Sequence, residues 1–176
     1  MCVERVAWAS RLADHRGMNT SRYAVGWTET SALFRECLAV AADDLHVSPL
    51  RYYEHLGREE NAGGELCGTL VIANLRWLRE TLRRFGPGAL AFIAFHEVGH
   101  VADCSNGRDA WEREMLADWQ AGRLLGLLGQ DIAPAFTWLL TEADCGSRCT
   151  THPPATTRMG VVKEGYYRGV VQRLGW

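Results

Sequence analysis

Residues 89–104 read Ala-Leu-Ala-Phe-Ile-Ala-Phe-His-Glu-Val-Gly-His-Val-Ala-Asp-Cys, an apolar run with no proline. Such a run is expected to be a buried helix. Residues four apart on a helix share a face. His96 and His100 can therefore offer two imidazole nitrogens to one metal ion. Glu97 then stands beside the open coordination position, where it can take a proton from an activated water. The competing interpretation is two core histidines and one paired glutamate.

A second pattern follows in Trp111-Glu-Arg-Glu-Met-Leu-Ala-Asp118. Glu114 and Asp118 are also four apart, and apolar Met115, Leu116 and Trp119 around them turn the two carboxylates inward. A tetrahedral catalytic zinc needs three protein ligands and an open site. Glu114 can be the third ligand. Asp118 can accept the spare N–H of a ligand histidine and fix its orientation. Glu112 competes as a ligand but has no carboxylate four residues later. The bland alternative is a solvated face with Arg113 and Arg123 as ion-pair partners.

A further candidate is Thr151-His152-Pro153-Pro154, with Arg158 following. Attack of water on an amide carbonyl creates an oxyanion, and a donor placed where that charge develops lowers the barrier. His152 and Arg158 both suit that task, and Tyr166 and Tyr167 are weaker alternatives.

His96-Glu97-x-x-His100 followed by Glu114-x-x-Ala117-Asp118 resembles the gluzincin zinc metallopeptidases. It is similar to the soluble catalytic cores of the heat-shock and CAAX-prenyl-protease type and to neutral zinc metallopeptidases of bacteria, over roughly residues 65–165. The resemblance implies zinc on His96, His100 and Glu114, Glu97 as general base, His152 near the oxyanion, and Arg158 in substrate or site support. It also implies an α+β, zincin-like domain, mainly helical with a small antiparallel sheet. The prenyl-protease relatives embed their site among membrane helices, which this chain does not match.

The 176 residues suit a single domain. Residues 1–64 are expected to hold N-terminal helices and loops, and 65–173 the catalytic core. A net charge of −2 gives no electrostatic case for nucleic acid or an anionic membrane. No segment reaches the length of a membrane span. The first ten residues carry charges where a secretory signal needs an apolar stretch, so the expected location is cytoplasmic. On that reading the six cysteines, at 2, 37, 67, 104, 145 and 149, are free thiols. Cys145, Cys149 and His152 make a conceivable second zinc site without an evident fourth ligand.

Along the chain, 1–14 is expected as a short helix, 16–21 as a turn and 22–28 as a strand. A helix is expected over 31–45, with Leu33, Leu38, Ala41 and Ala42 at helical spacing. Residues 51–64 are polar and end in Asn-Ala-Gly-Gly, which suggests mostly loop. Glu65 to Asn74 carries a β-branched run and reads as a strand whose free edge can pair with an extended peptide. Leu75 to Phe85 is a basic amphipathic helix with Arg76, Arg79, Arg83 and Arg84, either a solvated face or a holder for a substrate carboxylate. Asp109 can cap the second metal helix, which Gly129 stops. Further helices are expected over 132–143 and 155–173, with a loop over 144–154.

The function these residues predict is zinc-dependent hydrolysis of a peptide bond, with a peptide or protein as substrate. The same His, His and carboxylate trio also holds iron. A non-haem iron oxygenase or oxidase is thus one alternative, and a non-catalytic metal-binding scaffold is another.

Overall fold

The computed structural model describes residues 27–57, 61–105, 107–142 and 152–176. Within them the chain runs α1 (Trp27–Asp44), β1 (Arg51–His55), β2 (Ala62–Gly64), β3 (Leu70–Asn74), α2 (Leu75–Phe85), α3 (Pro87–Ala102), α4 (Ala110–Leu127), α5 (Ala133–Thr141) and α6 (Ala155–Arg173). The expected helix at 1–14, the turn at 16–21, residues 22–26 of the expected strand and residues 144–151 of the expected loop lie outside the described residues. Trp27 and Thr28, assigned to that strand, belong to α1.

The architecture is α+β, mostly helical around a small sheet. Helix α3 is its centre: every residue from Ala89 to Gly99 is buried. A helix that is apolar on all sides must be covered on all sides, and α1, α2, α4, α5 and the sheet do this. α1 contributes Phe34, Cys37, Leu38 and Ala41, a stripe at helical spacing. α2 follows β3 without a loop because the Asn74 side chain accepts from the backbone N–H groups of Arg76 and Trp77. Gly86, at φ 79°, then turns the chain so that Pro87 can open α3.

The sheet has the order β1-β3-β2 and is mixed rather than wholly antiparallel. β2 pairs with β3 antiparallel, and β1 pairs with β3 parallel, Tyr53 opposite Ile72. The segment between β1 and β3 is long enough for the crossover that a parallel pair needs. Residues 51–64 are therefore not mostly loop. Both outer strands come from this stretch, and β3 occupies only the second half of 65–74. The division at residue 64 consequently cuts through the sheet.

Helices α4 and α6 pack at backbone contact. A Cβ added at Gly122 or Gly126 of α4 would stand 2.2 and 2.0 Å from the carbonyl oxygens of Val162 and Tyr166. At Gly165 and Gly169 of α6 it would stand 2.1 and 1.9 Å from those of Trp119 and Arg123. Glycines four apart on both helices let the two axes approach this closely, and that approach brings the start of α6 against the middle of α4.

A disulfide joins Cys67, in the β2–β3 turn, to Cys104, just after α3. The expectation of free thiols fails here, because the fold brings two residues 37 apart in sequence to a Cα separation of 4.4 Å. Cys37 is a buried free thiol. Cys2, Cys145 and Cys149 lie outside the described residues, and with the latter two the suggested second zinc site.

Candidate metal centre

His96 and His100 project from one face of α3, and α4 brings Glu114 to them. The two Nε2 atoms are 3.0 Å apart. His96 Nε2 lies 3.3 Å from Glu114 Oε2, and His100 Nε2 lies 3.2 Å from Glu114 Oε1. Ligands about 2.0–2.1 Å from a tetrahedral zinc stand about 3.3 Å from each other, so the three groups already have the spacing of a coordination set. Glu114 Oε2 is buried without a hydrogen-bond donor. His96 Nε2 and Arg158 Nη2 stand at ion-pair distances of 3.3 and 3.6 Å from it, and the donor set of two imidazoles and a carboxylate fits a divalent ion of the zinc type.

Asp118 is fully buried behind this trio. Its Oδ1 lies 2.9 Å from His96 Nδ1. Arg158, itself only 2% exposed, grips it from the other side. Arg158 Nε donates to Asp118 Oδ2 at 2.7 Å and Nη2 to Oδ1 at 2.8 Å. A chain of contacts thus runs from Arg158 through Asp118 to His96. It is closed by the α4–α6 contact, which sets where Arg158 begins. Arg158 stands behind His96 and Glu114, its Nη2 3.6 Å from Glu114 Oε2, and is absent from the cleft lining, a place that suits support of the candidate ligands rather than the oxyanion task suggested for it. Among the described residues His100 has no such support: no carboxylate pairs with its buried Nδ1, and its ion pair is through Nε2 to Glu114.

The charges are mutually adjusted. Burial disfavours an imidazolium at His96, but the Asp118 and Glu114 carboxylates override it and push the pKa up to about 10. Burial also works against the charge on Glu114, yet His100 and His96 hold its carboxyl well below the usual range. Asp118 is likewise held low against burial by Arg158 and His96. A metal ion would take the place of the shared proton at His96.

The trio opens into a cleft of about 320 Å³. Glu97 lines it and is 7% exposed. His152 lines it too, its Nε2 3.5 Å from Glu114 Oε2. Burial lowers the His152 pKa, with the Glu114 charge pulling the other way. The opposite wall is β2, from Ala62 to Gly64, with Leu66. β2 lies directly on α3: a Cβ at Gly64 would stand 2.2 Å from the Glu97 carbonyl oxygen. The sheet edge that faces the site is therefore β2, whereas β3, the strand read from the sequence, is the central one. A hollow of about 640 Å³ between α1 and β1 contains none of these groups.

Several sequence alternatives separate here. Glu112 is excluded as a ligand because it closes a capping box with Asp109, accepting from the Asp109 N–H at 3.0 Å. Tyr166 packs against the core, Tyr167 is 58% exposed, and neither lines the cleft. Arg76, Arg79, Arg83 and Arg84 do not line it either. Arg123 pairs with Asp44 instead of the site carboxylates. Arg113, also read as an ion-pair partner, is in the cleft. The sequence had no spacing signal for Arg113 or for the Ala62–Gly64 wall.

Comparison with family models, curated proteins and solved structures returned no match.

Proposed function

We propose that the protein is a zinc-dependent hydrolase that cleaves a peptide bond, a reading that rests on the gluzincin-like motifs and on one observation. His96, His100 and Glu114 converge at coordination spacing, with Glu97 beside them in an open cleft. A zinc ion there supplies a Lewis acid that polarises the substrate carbonyl and acidifies a water. Glu97 takes the proton of the attacking water and passes it to the departing amine. A buried carboxylate suits that exchange, since a metal site of purely structural role needs no base. His152 donates an N–H to the developing oxyanion. Asp118, held by Arg158, keeps His96 in the tautomer whose Nε2 is free to bind. The backbone edge of β2 pairs with an extended substrate through main-chain hydrogen bonds.

No described helix is long and apolar enough to cross a membrane. The Cys67–Cys104 bridge, with both cysteines exposed, supports a compartment that sustains disulfides over the cytoplasmic location expected from the sequence.

Elemental analysis of the purified protein tests the reading first. The expected result is about one zinc per chain, retained in Glu97→Gln with loss of peptide hydrolysis, and lost in Glu114→Ala. Unchanged turnover in Glu97→Gln would remove the mechanism. About one iron per chain with oxygen-dependent turnover would replace it with the oxygenase alternative.

A further inference from the structure

We infer that Arg113 forms a carboxylate-binding subsite beside the metal centre, so that the preferred substrate carries a carboxylate close to the cleaved bond. This inference rests on the peptidase reading for the word substrate, but not for the binding itself.

Ala110, Arg113 and Glu114 lie three and four residues apart on α4 and all line the cleft. Arg113 therefore faces the same space as the metal ligands. Its Nε is buried with no hydrogen-bond partner, and its guanidinium makes no ion pair among the described residues. Other arginines with buried or half-buried heads are matched to protein carboxylates: Arg158 with Asp118, Arg123 with Asp44, Arg108 with Asp103. Arg113 has no such carboxylate among the described residues, and it stands where a ligand would enter. A buried N–H without an acceptor is costly and rarely left so. A bound anion would satisfy it.

The geometry also points to the kind of anion. A guanidinium offers a planar fork that matches a carboxylate with two parallel hydrogen bonds. Glu97 and Glu114 line the same cleft, so a singly charged group meets less repulsion than a phosphate dianion would. Ala62, Leu66 and Ala110 give the rest of the lining an apolar character that suits a peptide segment. The basic face of α2, suggested by the sequence as a holder for a substrate carboxylate, is not in the cleft, so the role passes to Arg113. Two sources present this chemistry: the free C-terminus of a peptide, or an aspartate or glutamate side chain within one.

The test is binding to zinc-loaded Glu97→Gln protein, in which turnover is stopped, followed by calorimetry. The probes are acetyl-pentaalanine amide, acetyl-pentaalanine with a free carboxyl, and acetyl-pentaalanine amides carrying Glu at each position in turn. At least one carboxylate peptide is expected to bind about 10- to 100-fold more tightly than the neutral amide. Adding Arg113→Gln should abolish that preference, bringing the carboxylate and neutral peptides to about equal affinity, and Arg113→Lys should keep part of it. Preference for the free acid assigns the subsite to a C-terminus, and preference for a Glu amide assigns it to a side chain. No carboxylate preference in the parent, or a preference that survives Arg113→Gln, overturns the inference. Cleavage of the same peptides by the wild-type protein is followed separately. Cleavage without any carboxylate preference leaves the peptidase reading and removes the subsite. An Arg113-dependent preference without cleavage does the reverse.

Discussion

Replacing Arg158 by alanine tests whether the chain of contacts behind the candidate metal ligands is structural support. Arg158 and Asp118 are 2% and 0% exposed, so solvent screens their interaction little. The substitution deletes two charge-assisted hydrogen bonds, of 2.7 and 2.8 Å, and leaves the Asp118 carboxylate with His96 Nδ1 at 2.9 Å as its close charged neighbour. Removing one partner of a buried pair costs about 3–5 kcal/mol, mostly because the survivor is left charged and desolvated. Protonation of Asp118 would limit the loss to the lower end of that range. For a chain of this size the corresponding fall in melting temperature is about 6–20 °C. The assay is urea unfolding of the metal-free protein near neutral pH, with zinc affinity measured alongside by competition with a chelator. With Asp118 no longer pinned, zinc affinity should fall by about 10- to 100-fold. Replacing both residues by leucine and methionine should recover part of the stability, since Asp118 is no longer left charged without Arg158 although Glu114 loses its 3.6 Å contact with that guanidinium, but none of the zinc affinity. If Arg158→Ala unfolds within about 1 kcal/mol of wild type, the buried pair is not holding the site, and the support assigned to it is wrong.

Two further outcomes can be read from the same protein. Gly165→Ala should cost about 1–3 kcal/mol, because its Cβ would stand 2.1 Å from the Trp119 carbonyl oxygen, whereas Gly160→Ala, with nothing within 4 Å, should be neutral or stabilising by up to about 1 kcal/mol; equal effects in urea unfolding would refute the backbone contact of α4 and α6. Burial opposes the Asp118 charge but Arg158 and His96 hold its carboxyl below the usual range, so its contribution to stability is fully present above about pH 4 and is lost as the pH falls through the folded value. The metal-free protein should therefore lose stability steeply below about pH 4, and Asp118→Asn should flatten that limb; an equally steep limb in the variant would assign the acid sensitivity elsewhere.

The parts of the site that were legible in the sequence are those set by helical periodicity, which is local. His96 with His100, and Glu114 with Asp118, share faces whatever the rest of the chain does, and Asp109 caps α4 through atoms three residues away. What was illegible depends on contacts across the chain. Ala62–Gly64 are poor strand formers, and they are a strand because β3 pairs with them and because Gly64 lies on the Glu97 carbonyl. Cysteine spacing does not reveal connectivity, so Cys67 and Cys104 meet only once the β2–β3 turn has reached the end of α3. Arg158 was recognisable as a candidate, but its task was not: a guanidinium near a metal motif can face substrate or ligand, and the choice is made by four glycines on α4 and α6 that no chemical motif includes. The same reasoning separates Arg113 from Arg123. Both are arginines on α4 with carboxylates nearby in sequence, yet α1 supplies Asp44 to one, while no described element supplies a carboxylate to the other. Local spacing thus decides which residues can bind a metal together, and tertiary contact decides which charges remain for a ligand.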